Sequence, residues 1–420
     1  MLVDRNKIIS NIMILIYSVW VILPRVQHTI SVVFIAMTLF ALLIFLCIRN
    51  KSLTTFVVYI MFGMVALSLM YLLVAYPLDF KHAVIVVMEQ FMMFLPLILA
   101  YNAIKNYTKK EILVFLVLIA LLELYVGFTT YIELQSNPMI ARMLTSGTSE
   151  ESKDISYRLA NIGGYGSIYS FVFFYISGLV SVFYIKRIIF KIISIAICIF
   201  SFLLLMEAQF GTAIMLLILS SILMIFAKAN SVQTKIIALF SGIIIVFILP
   251  TLLNILADYA GAGILSERLT AISEVLQNKT TNDVDLVLRQ QLLREGFTVF
   301  FQSPLWGQKI SENGVKVINL YSHSSYLDLA CATGIIGLGI YLKTWAFANK
   351  TINNCLNTDN KKIYILGYVI FCILGMMNPN WAVYQINIIA FLYFPLVLYI
   401  LQDNNSLKEE KSNTDKFFVY

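Results

Sequence analysis

The chain has 420 residues, of which 60% are apolar and only 13% are charged, and its net charge is +7. Soluble domains carry about twice this charged fraction, so the composition excludes an ordinary soluble protein. It predicts an all-α membrane protein that crosses the bilayer many times. The lysines follow the loops between apolar runs instead of forming one basic face, so we predict no nucleic acid partner.

Apolar runs that are long enough to cross a bilayer recur along the whole chain. A membrane-spanning helix needs roughly 20 such residues. The first run is followed by no small-residue cleavage site and is predicted to be a span, and the last is also compatible with an interfacial helix. In a single membrane domain, 1–420, we predict about twelve spans, namely 8–24, 29–48, 54–76, 83–101, 112–132, 166–185, 189–206, 211–228, 236–257, 325–345, 363–379 and 383–402.

The basic residues of the short loops predict how the chain is oriented. Cytoplasmic loops are enriched in lysine and arginine. Most of these residues fall on one side if both termini are cytoplasmic, whereas the short loops on the opposite side hold only Arg25 and Lys81. We therefore predict that both termini, including the polar tail 403–420, are cytoplasmic. Two longer segments, 133–165 and 258–322, are then external.

The large external loop, 258–322, is predicted to be partly helical. Apolar residues recur at helical spacing in 265–276, which favours an amphipathic helix along the membrane surface. A second helical pattern covers 284–301. It should end at Ser303-Pro304, because a residue that precedes proline disfavours the helical conformation.

The external segments and the span ends carry the residues that we predict to form a functional site. Histidine has a pKa near neutrality and can act as a general base, so His323 is the candidate for proton transfer. Arginine binds phosphate through two parallel hydrogen bonds, and Arg289 is the main candidate for contact with an anionic substrate. The further substrate-binding candidates are Arg158, Arg268, Arg294 and the carboxylate Glu207.

Each of these residues also has a structural explanation. Arginines in external loops often contact phospholipid headgroups or loop carboxylates, and an interfacial histidine often caps a helix. Arg289 and Arg294 lie about 140° apart around a helix, so they are not predicted to bind the same ligand. Glu89 and Glu123 fall within predicted spans, where structural hydrogen bonding explains a carboxyl group at least as well as a function does.

No metal, cofactor or disulfide is predicted. All five cysteines fall in spans or in loops predicted to be cytoplasmic. No group of histidines, cysteines and carboxylates has the spacing of metal ligands.

Two motifs in the large loop and the span after it carry a family resemblance. LRQQLLREGFTVFFQSPLWGQ contains Arg289 and a Pro-Leu-x-Gly pattern, and YSHSSYLDLACATGIIGLG contains His323. This pair resembles the signature of the O-antigen polymerase and ligase family, which are membrane enzymes that transfer sugar chains from undecaprenyl pyrophosphate. The region shared with the family corresponds to about 189–345.

The resemblance implies a role for Arg289 in binding pyrophosphate and for His323 as a base or as a group that orients the acceptor. It implies an undecaprenyl-pyrophosphate-linked oligosaccharide as substrate, a flippase and a chain-length regulator as partners, and an active site on the outer face of the bacterial cytoplasmic membrane. Two departures from the family pattern stand out. Where the family has His-Asn, this chain has His323-Ser324. Where the family has a Ser-Arg-Gly-like turn, this chain has AQFG at 208–211. The arginine of that turn is therefore absent, and Arg158 or Arg268 has to take its place.

The favoured function is therefore that of a metal-independent polymerase, which moves a growing glycan onto a lipid-linked repeat unit. The product would be a surface polysaccharide, that is, a capsule, an O-antigen or an exopolysaccharide. A ligase that attaches the finished glycan to a lipid or cell-wall acceptor uses the same chemistry and stays open. A lipid-linked oligosaccharide flippase or transporter is the alternative from another class. It is disfavoured because the two halves of the chain show no evident repeat. A peptidoglycan polymerase is also conceivable.

Overall fold

A computed structural model of the chain describes residues 5–75, 80–146, 151–228, 250–255, 257–259, 261, 266–267, 269–270, 273–274, 284–309, 311–312, 315–316, 324–380 and 383–402. Nearly all of these residues are helical. Two π-helical turns, at Tyr71–Ala75 and Ile389–Tyr393, and one two-residue hairpin, β1 (Ser311–Glu312) with β2 (Val315–Lys316), interrupt the pattern. The helices are α1 (Arg5–Ile22), α2 (Pro24–Thr29), α3 (Val32–Arg49), α4 (Lys51–Met70), α5 (Phe80–Asn106), α6 (Lys109–Ser136), α7 (Ile140–Ser146), α8 (Glu151–Leu159), α9 (Tyr165–Tyr184), α10 (Ile188–Glu207), α11 (Gly211–Lys228), α12 (Val284–Gln302), α13 (Ser325–Asn353), α14 (Thr358–Met377), α15 (Tyr384–Ile388) and α16 (Phe394–Leu401).

The protein is an all-α multi-pass membrane protein. Nine helical segments of the described chain are long and apolar enough to cross a bilayer: Arg5–Ile22, Lys51–Val74, Val84–Asn106, Lys109–Ser136, Tyr165–Tyr184, Ile188–Glu207, Ser325–Asn353, Thr358–Met377 and Tyr384–Leu401. Two shorter apolar helices, Val32–Ile48 and Gly211–Ala227, also match predicted spans. The predicted span 236–257 lies mostly outside the described residues, so the count of twelve stays a prediction.

The last of these segments, Tyr384–Leu401, lies in the middle of the bundle. It packs against α5, α6 and α9, and most of its side chains are buried. An interfacial helix would leave one face open to the headgroup region. The interfacial alternative for 383–402 is therefore wrong, and the segment is a central helix of the fold.

Contacts at the helix ends define two ends of the bundle. At the Arg5 end, Lys7 Nζ lies 3.0 Å from Glu111 Oε1, and Lys109 Nζ donates to the Ile400 carbonyl at 3.2 Å. The other end lies about 27 Å away along α1. There the Arg25 backbone N–H donates to Asn161 Oδ1 at 3.1 Å, four residues before α9 begins. We call this second end the Tyr165 end.

A glycine break in α13 holds α12 in place. Gly334 has φ +66, and the helix is interrupted there. In a continuous helix the Ile335 N–H would donate to the Cys331 carbonyl. Instead, the Ile335 N–H donates to the Pro304 carbonyl at 2.8 Å, and the Cys331 carbonyl accepts from the Gln308 N–H at 2.8 Å. The segment that follows α12 thus satisfies both groups that the break releases.

Only glycine fits at this contact. A Cβ atom at Gly334 would lie 2.1 Å from the Leu305 carbonyl oxygen, and one at Gly307, whose φ is +82, would lie 2.4 Å from the Ala332 carbonyl carbon. Both distances are far below van der Waals contact. The two sequence motifs, SPLWGQ and ATGIIG, are therefore the two halves of one packing contact, which fixes the end of α12 against α13.

Candidate functional site

The candidate site lies at the Tyr165 end, where α7, α8, the start of α9 and the turn between α10 and α11 meet. Tyr165 is at its centre. This residue lines a cavity of about 130 Å³ together with Arg158, Ser167 and Gln385. Side chains from separate parts of the chain surround Tyr165.

Arg158 lies on the last turn of α8 and is held by two contacts. Its Nε donates to Asp154 Oδ2 at 2.9 Å, and a terminal nitrogen donates to the Leu144 carbonyl at 3.2 Å. The side chain remains 36% exposed, so it is oriented by these bonds and still reaches the cavity. The predicted candidate Arg158 therefore lies in the site.

Arg289 is on α12, and its charge acts electrostatically on the Tyr165 hydroxyl, more weakly than burial and Tyr169 do. Arg294 is on the same helix but is exposed. That the two arginines do not bind one ligand stays a prediction. Arg158 lines the cavity beside Tyr165 and the charge of Arg289 acts on the same tyrosine, whereas no described contact links Arg294 to it.

Three aromatic rings form a cluster at the start of α9. The ring centroids of Tyr165 and Tyr169 are 4.5 Å apart with the rings tilted, and Phe210 packs edge-on against Tyr169 at 5.6 Å. The Tyr169 hydroxyl accepts a hydrogen bond from Asn378 Nδ2 at 3.3 Å. The aromatic cluster therefore joins the start of α9 to the α10–α11 turn and to the end of α14.

Arg142 supplies a third arginine, which sequence reasoning did not single out. It donates to the Gln209 carbonyl in the α10–α11 turn, and its Cζ lies 5.2 Å from the Phe210 ring centroid. This turn contains the sequence AQFG at 208–211, which has no arginine where the resembled family has one. Glu207, the last residue of α10, lies at the same turn. No ion pair of Glu207 is found within the described ranges.

Amide side chains close the site on the α15 side. Gln385 Nε2 donates to Gln27 Oε1 at 2.8 Å. A Cβ atom at Gly166 would lie 2.5 Å from Gln385 Oε1, so this glycine leaves the space that Gln385 occupies.

Two predicted candidates, His323 and Arg268, lie outside the described residues, and their roles stay predictions. The residue after His323 is described: Ser324 Oγ lies 3.5 Å from the Gly375 carbonyl oxygen. Gly375 is three residues before Asn378, which bonds to Tyr169. The start of α13 therefore lies close to the aromatic cluster.

Nothing in the described part of the chain resembles a metal centre, because no three His, Cys, Asp or Glu side chains cluster there. Comparison with protein-family models finds no match, and no curated protein is significantly similar to the chain. The function is therefore inferred from the site itself.

Proposed function

We propose that the protein is a polymerase of a surface polysaccharide, which transfers a growing glycan from undecaprenyl pyrophosphate to the terminal sugar of a lipid-linked repeat unit. The observation that carries the proposal is the cavity at one end of a membrane bundle that Arg158 lines together with Tyr165, on whose hydroxyl the charge of Arg289 also acts. Two permanent cations at the level where a bilayer meets water are suited to a diphosphate that is anchored in that bilayer.

The chemistry assigns one task to each group. The acceptor hydroxyl attacks the anomeric carbon, and its proton passes to the imidazole of His323. The bond between that carbon and the diphosphate oxygen breaks, and undecaprenyl pyrophosphate departs with the electron pair. Arg289 and Arg158 stabilise the charge that develops on the departing diphosphate. Arg142 adds a cation at the neighbouring turn, in place of the arginine that AQFG lacks.

The surroundings of the arginines suit a sugar substrate. Gln27 and Gln385 offer amide donors and acceptors for hydroxyl groups, and the partly exposed Tyr165 ring offers apolar surface in the cavity. Under this proposal the Tyr165 end faces outward from a bacterial cytoplasmic membrane. A flippase then delivers the substrate, and a chain-length regulator acts on the product.

The test is complementation of a strain that lacks the native gene, with Arg289→Ala, Arg158→Ala and His323→Ala. Membrane abundance is measured for each variant. Polymer length is read on a gel beside the lipid-linked single repeats. We expect Arg289→Ala to lower polymer formation by about 10²–10³-fold, because one preorganised charge contributes about this much to a transfer step. Single repeats should accumulate.

Arg294→Ala is the matched control, since it removes the same charge from an exposed position of the same helix. It should support normal polymer. Long polymer that stays on the carrier lipid would instead favour the ligase. Repeats trapped on the cytoplasmic side would favour the flippase. Normal polymer from all three site variants would contradict the proposed site.

A further inference from the structure

We propose that the segment Ser303–Gln308 is a shallow re-entrant turn, which inserts among the lipid acyl chains of the leaflet at the Tyr165 end. Together with Phe297 and Phe301 of α12 it forms an apolar membrane anchor. The proposal depends on the path of the backbone, on the side chains that it exposes and on its hydrogen bonding. It does not depend on the proposed function.

Three contacts with α13 give the depth of the turn. Cys331 Sγ donates to the Gly296 carbonyl at 3.2 Å, so α12 passes α13 at the level of Cys331. The Pro304 carbonyl then accepts from the N–H of Ile335, further along α13. The Gln308 N–H donates to the Cys331 carbonyl, so at Gln308 the chain is again at the level of Cys331. The chain therefore advances along α13 and turns back, and Leu305 and Trp306 are at the tip.

The tip lies beside the uncharged part of α13. Gly334 contacts Leu305 and is about 14 Å along α13 from Ser325. Between Asp328 and Lys343 the helix carries no charged residue. Because α13 is one of the helices able to cross a bilayer, this uncharged stretch is the part that lies among acyl chains.

The side chains of the turn suit lipid and not water. Phe297 is 52% exposed, Phe301 71%, and Leu305 and Trp306 57% each. Phe297 and Phe301 are four residues apart and share one face of α12, which leads directly to the tip. A contiguous group of large apolar side chains is rarely left open to water in a soluble segment. At the boundary of a bilayer, tryptophan and phenylalanine are typical.

Non-helical chain at membrane depth needs its polar groups bonded within the protein, and five backbone groups of the turn are bonded in this way. The Ser303 N–H donates to the Phe300 carbonyl at 3.2 Å, and the Gly307 N–H donates to the Ser303 carbonyl at 2.9 Å. Proline at 304 has no N–H to satisfy. The two bonds to α13 satisfy the Pro304 carbonyl and the Gln308 N–H.

Fluorescence quenching in nanodiscs tests the proposal, with Trp306 as the reporter. Two of the other tryptophans, Trp20 and Trp345, are buried at 2% and 1% exposure. The emission of Trp306 is obtained as the difference between the wild type and Trp306→Phe. Each sample is measured in lipids brominated on their acyl chains, near the headgroup or near the chain end, and with aqueous iodide.

Two reference reporters are built in the Trp306→Phe background. Phe62→Trp occupies a position on α4 that is 77% exposed and faces lipid, and Ser156→Trp occupies an exposed position on the polar helix α8. We expect brominated lipid to remove most of the Trp306 emission, as for Phe62→Trp, with the shallow bromine more effective than the deep one. Iodide should quench Ser156→Trp alone.

Two results would overturn the proposal. Quenching of Trp306 by iodide and not by brominated lipid would place the turn in water. Quenching by neither agent would show that protein covers it. Both results are independent of polymer formation, so they leave the proposed function to its own test.

Discussion

Glu123 shows how a single carboxyl group is accommodated in the middle of a membrane helix. It lies near the centre of α6 and is 2% exposed. Its Oε1 bonds with Ser170 Oγ, and the same Oγ also bonds with the Ser167 carbonyl at 2.7 Å. A serine hydroxyl has one proton, and a carbonyl can only accept. If that proton goes to Ser167, the bond with Glu123 requires a proton on the carboxyl group.

A neutral Glu123 predicts which substitutions the protein tolerates. Glu123→Gln keeps a donor and the shape, so its free energy of unfolding should stay within about 1 kcal/mol of wild type. Glu123→Ala leaves a void and removes the partner of Ser170, which should cost about 2–4 kcal/mol. Thermal unfolding in detergent compares the three proteins. Equal destabilisation of both variants would mean that a charged carboxylate is required.

At the scale of elements, the α12–α13 contact predicts an asymmetry among glycines of one helix. Gly334→Ala places a methyl group against the Leu305 carbonyl at φ +66 and ψ −172, a conformation that is essentially restricted to glycine and costs about 1–3 kcal/mol for the backbone alone, before the clash. Gly339→Ala meets nothing within 4 Å and serves as the control. The first variant should melt lower and expose α12 to protease, and the second should match wild type. Equal melting would argue against a tight contact.

The sequence predicted some elements better than others, for physical reasons. The pattern at 284–301 and the Pro304 stop predict α12 almost to the residue, because periodicity and proline are local signals. The short helices α7 and α8 in 133–165 were not predicted, since they are too brief to show a period. The positive φ of Gly334 and its loop contact depend on a partner segment and could not be predicted locally.

The same limit applies to the site. Arg158 and Arg289 were identified from their charge in external segments. Arg142 and Tyr165 were missed because their significance comes from contacts across the chain: the Arg142 guanidinium reaches the Gln209 carbonyl, 67 residues away. Such pairs leave no local pattern in a single sequence. The tyrosines at 165 and 169, four residues apart at the start of a span, were the available signal.

At the scale of the whole molecule, the two ends of the bundle differ in how their cations are placed. The Arg5 end gathers basic residues of the termini and short loops, including Lys7, Lys51 and Lys109. At the Tyr165 end, Arg142 and Arg158 come from the longer segment 133–165. Orientation follows the basic residues of short loops, whereas longer segments cross largely regardless of charge. The Arg5 end should therefore face the cytoplasm.

Site-directed labelling checks this orientation. In a protein whose five native cysteines are replaced by serine, Lys110→Cys reports on the Arg5 end and Ala160→Cys on the Tyr165 end, since both positions are exposed. A thiol reagent that cannot cross the membrane should label Ala160→Cys in intact cells and Lys110→Cys only after permeabilisation. The reverse pattern would put Arg158 and Arg289 on the cytoplasmic side, where a polymerase that uses flipped substrate has no access to them.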